Sequence, residues 1–216
     1  MLLLAADTSG NHGSIALAQC GADGTCDIVE VQALQGGTFS AQLIPQIADL
    51  LARHGFPREA IDAFAVIAGP GSFTGLRVGL AGIKALAEVT GKPIAAVSLL
   101  EAVALSSQKQ GKITPALDAG RREIYLAEYL NGQGVSAEMV ISQESFAPEG
   151  AVVTPDDKVV EFARGRGFDV EIVPRPQSDL VARLGWKHIL AGLIVSAEAL
   201  HANYVRRTDA EILMKP

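Results

Sequence analysis

Short apolar runs alternate with glycine-containing turns along the first hundred residues, and this rhythm predicts an α/β chain. Residues 2–6 are apolar and run into Asp7-Thr8-Ser9-Gly10-Asn11-His12-Gly13, a strand followed by a polar turn. Residues 14–20 resume strand character, 21–25 turn, and 28–34 return as a third strand. Tight turns make these three an antiparallel meander with Asp7 at its first corner. After Gly36-Gly37, residues 41–54 carry Leu43, Ile47, Leu50 and Leu51 on one helical face. Ser40 is the expected N-cap, which places Pro45 near the first turn, where its missing N–H costs little. Residues 64–68 are almost wholly apolar, as in a strand buried on both faces. Then Gly69-Pro70-Gly71-Ser72-Phe73-Thr74-Gly75-Leu76-Arg77-Val78-Gly79 leads directly into a helix ending near Thr90-Gly91. Residues 93–97 predict another buried strand and 99–107 a helix. A meander feeding two right-handed crossovers gives a mixed sheet.

The second half partly repeats this order. Residues 114–118 and 123–129 predict strands around Ala119-Gly120-Arg121-Arg122, with further strands near Val152 and over 170–173. A helix is expected over 178–191, capped by Ser178 or Asp179 and stopped by Gly192. Residues 132–155 are turn-rich and weakly patterned, so the second lobe reads as the smaller. The expected division is 1–105 and 106–216, with the final helix free to pack back on the first lobe.

Composition narrows the functional classes. Of the 216 residues, 49% are hydrophobic and only 5% aromatic, and the formal net charge is -6. Such an acidic surface repels phosphates at long range, which argues against independent nucleic-acid binding. Arg121-Arg122 and Arg206-Arg207 are read as solvated surface charge. No apolar run approaches the roughly 20 residues of a membrane span. The apolar start has no basic leader, so a cytoplasmic location and no membrane partner are expected. Cys20 and Cys26 make no disulfide framework. A hairpin would bring the two thiols near each other, and reduced cysteines are the expected state.

The glycine-rich segment joins a strand to a helix start, where free N–H groups and the helix dipole make an anion site. Gly69, Gly71, Ser72 and Thr74 fit that chemistry, with Asp7, Thr8, Ser9 and Asp118 as further candidates around a nucleotide and hydrated Mg²⁺. The alternative stands beside it. No Gly-Lys-Ser/Thr follows, Pro70 and Phe73 break the dinucleotide spacing, and both aspartates are equally good turn formers. Gly75, Gly79 and Gly82 share one helical face, although an interior glycine costs about 1 kcal/mol relative to alanine. Another backbone must approach them closely, either this chain's own sheet or first helix, or a partner's helix. Leu76, Leu80 and Ile83 adjoin that face. His12, His54, His188 and His201 have no ligand-like spacing, and no Gly-x-Ser-x-Gly elbow is present.

Asp7-Thr8-Ser9 and the eleven-residue glycine segment together closely resemble the TsaB (YeaZ) family. Asp118-Ala119-Gly120-Arg121-Arg122-Glu123-Ile124-Tyr125 and Tyr204-Val205-Arg206 look like its later landmarks, the match being weakest over 132–175. The resemblance implies an actin-like (ASKHA, ribonuclease H-like) two-lobed fold with mixed sheets. It implies a non-catalytic scaffold or activator subunit in threonylcarbamoyl transfer to the adenine next to the tRNA anticodon. The implied partners are a metal-bearing catalytic homologue, TsaD, and a small ATPase, TsaE, with tRNA met only through the complex. Pairing through the two helices of the first lobe would use Leu43, Ile47, Leu50, Gly75, Leu76, Gly79, Leu80, Gly82 and Ile83. On that reading Gly79→Leu or Gly82→Leu blocks pairing and spares the fold. The same face predicts a homodimer when the chain is alone.

Where the catalytic homologue has a His-x-Glu-Gly-His metal motif, this chain has Leu99-Leu100-Glu101-Ala102-Val103. Both ligand positions are aliphatic, so no metal and no cofactor of its own are expected, with room left for weak ATP or ADP binding. Phe39-Ser40 departs from the His-Ser/Thr of many relatives, and no role is inferred there. The alternative function is an ATP-using actin-like small-molecule kinase or hydrolase. A glycoprotease reading finds no nucleophile–base pair.

Overall fold

The computed structural model describes residues 1–205; Arg206 and Arg207 lie outside the described residues. Two compact units divide the chain, Met1–Ala102 with Pro176–Ala202, and Val103–Arg175 with residues 203–205.

The first unit is built on β1 (Leu2–Asp7), β2 (His12–Cys20), β3 (Cys26–Gln35), α1 (Phe39–Arg53), β4 (Ile61–Gly69), α2 (Phe73–Thr90) and β5 (Ile94–Ser98). Its sheet runs β3-β2-β1-β4-β5. β1 pairs antiparallel with β2 and β2 with β3, whereas β4 is parallel to β1 and β5 parallel to β4. Every residue of β1 is buried, as its unbroken apolar run demands. α3 (Leu99–Leu105) follows β5 directly and carries the chain into the second unit.

The second unit contains β6 (Lys112–Gly120), β7 (Glu123–Leu126), β8 (Tyr129–Leu130), β9 (Gln133–Gly134), β10 (Met139–Ser142), β11 (Ala151–Thr154), α4 (Asp157–Gly165) and β12 (Val170–Ile172). The main path of its sheet is β10-β7-β6-β11-β12. The β6–β7 and β7–β10 pairs are antiparallel, and the β6–β11 and β11–β12 pairs parallel. The second unit therefore repeats the strand order and directions of the first, with shorter strands on either side of its central β6. Its core gathers Ile124, Leu126, Val152, Val159 and Ala163 around Phe146, which meets Phe162 and Phe168 edge-on at 5.7 Å.

α5 (Ser178–Leu190) belongs to the first unit and packs on its sheet. A Cβ on Gly185 would lie 2.3 Å from the Cβ of Ala65, so two small residues let helix and strand approach this closely.

Three local expectations change. α1 begins at Phe39 with Thr38 in the cap position and no side-chain cap, so Ser40 lies inside the helix. Pro45 then falls in the second turn, where it does remove a helical hydrogen bond. Gln177, not Ser178 or Asp179, occupies the cap of α5. Ser178 is buried instead. Its hydroxyl donates to the Ser14 carbonyl at 2.7 Å and its N–H to the Ser14 hydroxyl at 2.9 Å. Finally, α4 stands where no helix was expected. Among the described residues, no helix is long and apolar enough to cross a membrane.

Candidate functional site

The site is the place where the corner after β1 meets the start of α2. The apolar run of β1 ends at Asp7, and the polar Thr8 and Ser9 that follow remain buried. Buried polar groups need partners. Asp7 Oδ1 accepts the Ser9 N–H at 2.7 Å, closing an Asx turn. The Thr8 hydroxyl donates to the Gly75 carbonyl at 2.7 Å. The Ser9 carbonyl accepts the Ser72 N–H, also at 2.7 Å. Ser72 caps α2, its Oγ accepting the Gly75 N–H at 3.3 Å. The Ser9 hydroxyl, fully buried, has no hydrogen-bond partner among the described residues.

The glycines have a local reason. A Cβ on Gly71 would lie 2.5 Å from the Ser9 carbonyl oxygen, on Gly75 2.0 Å from the Thr8 carbonyl oxygen, and on Gly79 2.3 Å from Thr8 Oγ1. Gly69, at the end of β4, has a φ of 143° that favours glycine. On the next turn of α2, a Cβ at Gly82 would meet Leu43 Cδ2 of α1 at 2.8 Å. The close approach inferred from the glycine stripe is therefore made by this chain's own backbone corner and its own first helix.

The same geometry bears on anion binding. Two N–H groups at the α2 N-terminus, those of Ser72 and Gly75, are already spent on Ser9 and on the cap. Asp118, in the second unit, braces its own turn. Its Oδ1 accepts the Gly120 N–H at 2.9 Å and its Oδ2 meets Lys158 Nζ at 3.1 Å. Of the two readings for the aspartates, both engage as turn formers.

The residues expected to meet a partner face inward. Leu43, Ile47, Leu50, Leu76, Leu80 and Ile83 are all buried in the first unit. The outward faces of the same helices are also apolar. Ala41, Ile44, Ala48 and Ala52 form an exposed stripe on α1. Ala81, Ala85 and Val89 form one on α2, beside the half-buried Val78. Ile44 and Val89 keep 45% and 69% of their surface. Sequence periodicity finds the buried stripe first, because it is longer and richer in leucine.

Leu99 and Val103 are buried in α3. Between them Glu101 reaches out to His188 of α5, Oε1 to Nε2 at 3.1 Å. That hydrogen bond raises the His188 pKa above the usual imidazole value, against the opposing effect of burial. Among the described residues, no group of three or more His, Cys, Asp or Glu is placed to hold a metal ion.

A family model described as TsaD: tRNA N6-adenosine threonylcarbamoyltransferase matches residues 34–195. The chain is 30% identical over 162 residues to the tRNA threonylcarbamoyladenosine biosynthesis protein TsaB of Haemophilus influenzae. That alignment covers 70% of this chain and 66% of the relative. YeaZ from Pseudomonas aeruginosa superimposes with a TM-score of 0.78 at 27% identity, covering 94% of this chain and 99% of that one. The chain belongs to the TsaB (YeaZ) family. Its two sheets, in each of which three antiparallel strands are extended by two parallel ones along the main path, are the actin-like (ASKHA, ribonuclease H-like) fold of that family. The chain is also 32% identical over 111 residues to the tRNA N6-adenosine threonylcarbamoyltransferase of Anaeromyxobacter dehalogenans, 46% of this chain and 33% of that enzyme. Within the TsaB family frame, the Asp7-Thr8-Ser9 corner and the glycine segment act as one packed unit that fixes where α2 leaves the sheet.

Proposed function

We propose that this chain is the non-catalytic scaffold of a tRNA threonylcarbamoyl transferase, pairing with a TsaD-like catalytic homologue and joined by a TsaE-like ATPase. Threonylcarbamoyl is transferred to the adenine beside the anticodon on the partner, and this chain holds the partner in its active form. Alone, it forms a homodimer through the same surface, and its location is the cytoplasm. The observation that carries the reading is the pair of outward apolar stripes on α1 and α2. Their small side chains let a second pair of helices approach closely, and Ile44 and Val89 supply exposed apolar anchors. Leu99 and Val103 support the absence of chemistry, since aliphatic side chains in the core offer no metal ligand.

The test is association. Mixed with a TsaD-like subunit, the chain is expected to elute from a sizing column as a heterodimer, and Ile44→Asp to leave two separate peaks. Coelution of Ile44→Asp with the partner would remove this surface from the interface.

An ATP-using kinase or hydrolase is disfavoured by the amides of Ser72 and Gly75 being committed within the chain.

A further inference from the structure

The turn between β6 and β7 consists of Arg121 and Arg122, with φ values of 53° and 61°. Two consecutive positive φ values make a type I′ hairpin turn, for which asparagine and glycine are the low-cost residues. Arginine at both positions is strained, and strain of this kind gathers at ligand clamps. The preceding Gly120 is also left-handed, and Asp118 holds the loop by accepting the Gly120 N–H. The surrounding structure thus fixes a costly backbone that projects two guanidinium groups from one tight turn. Among the described residues, no side-chain hydrogen bond or ion pair engages Arg122.

Opposite the turn lies α4. Lys158, Phe162 and Arg166 recur every fourth position and share one side of the helix and its cap. Lys158 meets Asp118 beneath the turn. Arg166 is fixed in place. Its Nη1 donates to the Gln143 carbonyl at 2.7 Å, and its guanidinium carbon sits 5.7 Å and 5.6 Å from the ring centroids of Phe162 and Phe168. Between turn and helix is a cavity of about 520 Å³ lined by Arg121, Arg122, Arg166, Phe162, Glu123 and Glu144. That volume suits one small-molecule-sized moiety.

The geometry points to a ribonucleotide site in which this cavity receives one nucleotide of an RNA strand, its phosphates on the arginines and its base against Phe162. Three arginines gathered in a protein of net charge -6 are local, so they select a phosphate by position rather than by overall field. Phe162 offers an aromatic face of the kind on which unpaired bases stack. Glu123 and Glu144 would repel a bare anion. They instead suit the hydroxyl and amino donors of a ribonucleotide, the 2′-hydroxyl being the group that separates RNA from DNA. The inference rests on the proposed role in tRNA modification, because that role supplies the RNA. It replaces the reading of Arg121 and Arg122 as solvated surface charge, and with it the expectation that tRNA is met only through the complex.

Arg122→Gly separates strain from binding. Glycine takes the left-handed conformation freely, so this variant should keep or raise Tm. A residue kept for structure alone would then show no loss on replacement. Anisotropy of labelled substrate tRNA with the full chain, over a salt series, should show weaker binding by roughly three- to tenfold. The salt slope should become shallower by about 0.7–0.9, the share of one phosphate contact. Phe162→Leu gives up the edge contact with Phe146 and should lower Tm somewhat; measured well below that Tm, it should weaken binding by roughly tenfold. A DNA copy of the strand should bind less tightly than the RNA. Unchanged tRNA affinity and slope in Arg122→Gly would overturn the site, and so would equal binding of RNA and DNA. Binding of free AMP that Arg122→Gly abolishes, with tRNA binding unaffected, would also overturn it in favour of a free nucleotide. The sizing-column assay is read separately. If the wild-type chain fails to pair with a TsaD-like subunit, the proposed function fails while the anisotropy still decides the RNA site.

Discussion

The Thr8 hydroxyl donates a 2.7 Å hydrogen bond to the Gly75 carbonyl, while the Thr8 carbonyl oxygen sits where a side chain at Gly75 would begin, 2.0 Å from its Cβ. The two residues hold each other from both directions, and through them the corner after β1 sets the exit of α2. The resemblance had given the glycines to a partner. Most of that close approach is spent inside the fold.

A graded series of alanine substitutions follows from this contact. Gly75→Ala drives a Cβ into backbone, which has little room to yield, and should cost about 2–4 kcal/mol. Gly79→Ala meets a buried hydroxyl already committed to Gly75 and should cost about 1–3 kcal/mol. Gly82→Ala meets only the tip of Leu43, and the relief of an interior glycine offsets part of that, so the change should stay within about 1 kcal/mol. Urea unfolding of the three variants checks the order. If Gly82→Ala proves the most damaging, the packing described for α1 and α2 is wrong. Gly79→Leu is accordingly expected to unfold the first unit rather than to block pairing on an intact fold.

The outward stripes should behave in the opposite way. Val89→Asp and Ala85→Asp lie on solvent-facing turns of α2 and should cost no more than about 1 kcal/mol, from helix propensity and, at 89, the helix dipole. Each should nevertheless weaken association with the catalytic homologue by roughly tenfold or more, as expected where a charge is buried in an apolar interface. Titration calorimetry separates the two effects. Unchanged affinity in both would leave α2 outside the contact.

Stability should fall as His188 loses its proton. Glu101 raises the folded-state pKa of His188 above the unfolded value of about 6.5. A raised pKa gives a contribution that is complete below the unfolded pKa and is lost as pH rises through the folded one. The contribution should be below about 1 kcal/mol, because both side chains keep some solvent. Tm measured between about pH 6 and pH 9 should decline less in His188→Gln than in the wild type. Parallel curves would show that the pair carries no such linkage.

Cys20 and Cys26 are register partners across the β2–β3 hairpin, with Sγ atoms 3.0 Å apart. The Cys20 backbone bonds to Met1 on the β1 side, so toward β3 this is a non-hydrogen-bonded pair with close side chains. The Cys20 thiol donates to Cys26, and with Arg183 nearby this holds the Cys26 pKa down, while Cys20 is pushed up. Iodoacetamide at about pH 8 should therefore label Cys26 ahead of Cys20, and Cys20→Ala should slow the labelling of Cys26. Peptide mass spectrometry over time decides it, and Cys20 reacting first would contradict the pairing.

Much of the fold was legible. Unbroken apolar runs marked β1 and β4, glycine ended α2, and the strand–helix order gave the mixed sheet. α4 was missed although its signals are present: Asp156 and Asp157 at the start, Val159, Val160 and Ala163 on one side, and Arg164 before Gly165. At nine residues between weak strands, its period is too short to stand out. The caps of α1 and α5 were misplaced because Ser40 and Ser178 look like caps locally. Ser178 is instead claimed by Ser14, a residue 164 positions away. The candidate site shows a deeper limit. A glycine stripe announces that a backbone comes close, and nothing in the stripe says whose. The arginines at 121 and 122 were visible as charges, but their left-handed backbone was not, since arginine gives no hint of it.

In the proposed complex this chain is required but chemically inert. Threonylcarbamoyl transfer to substrate tRNA should be followed with the TsaD-like and TsaE-like subunits and the adenylate-forming enzyme, while this chain is titrated in. The account predicts no transfer by this chain alone, little without it, and a rise that saturates at one copy per catalytic subunit. Full transfer with this chain left out would contradict it.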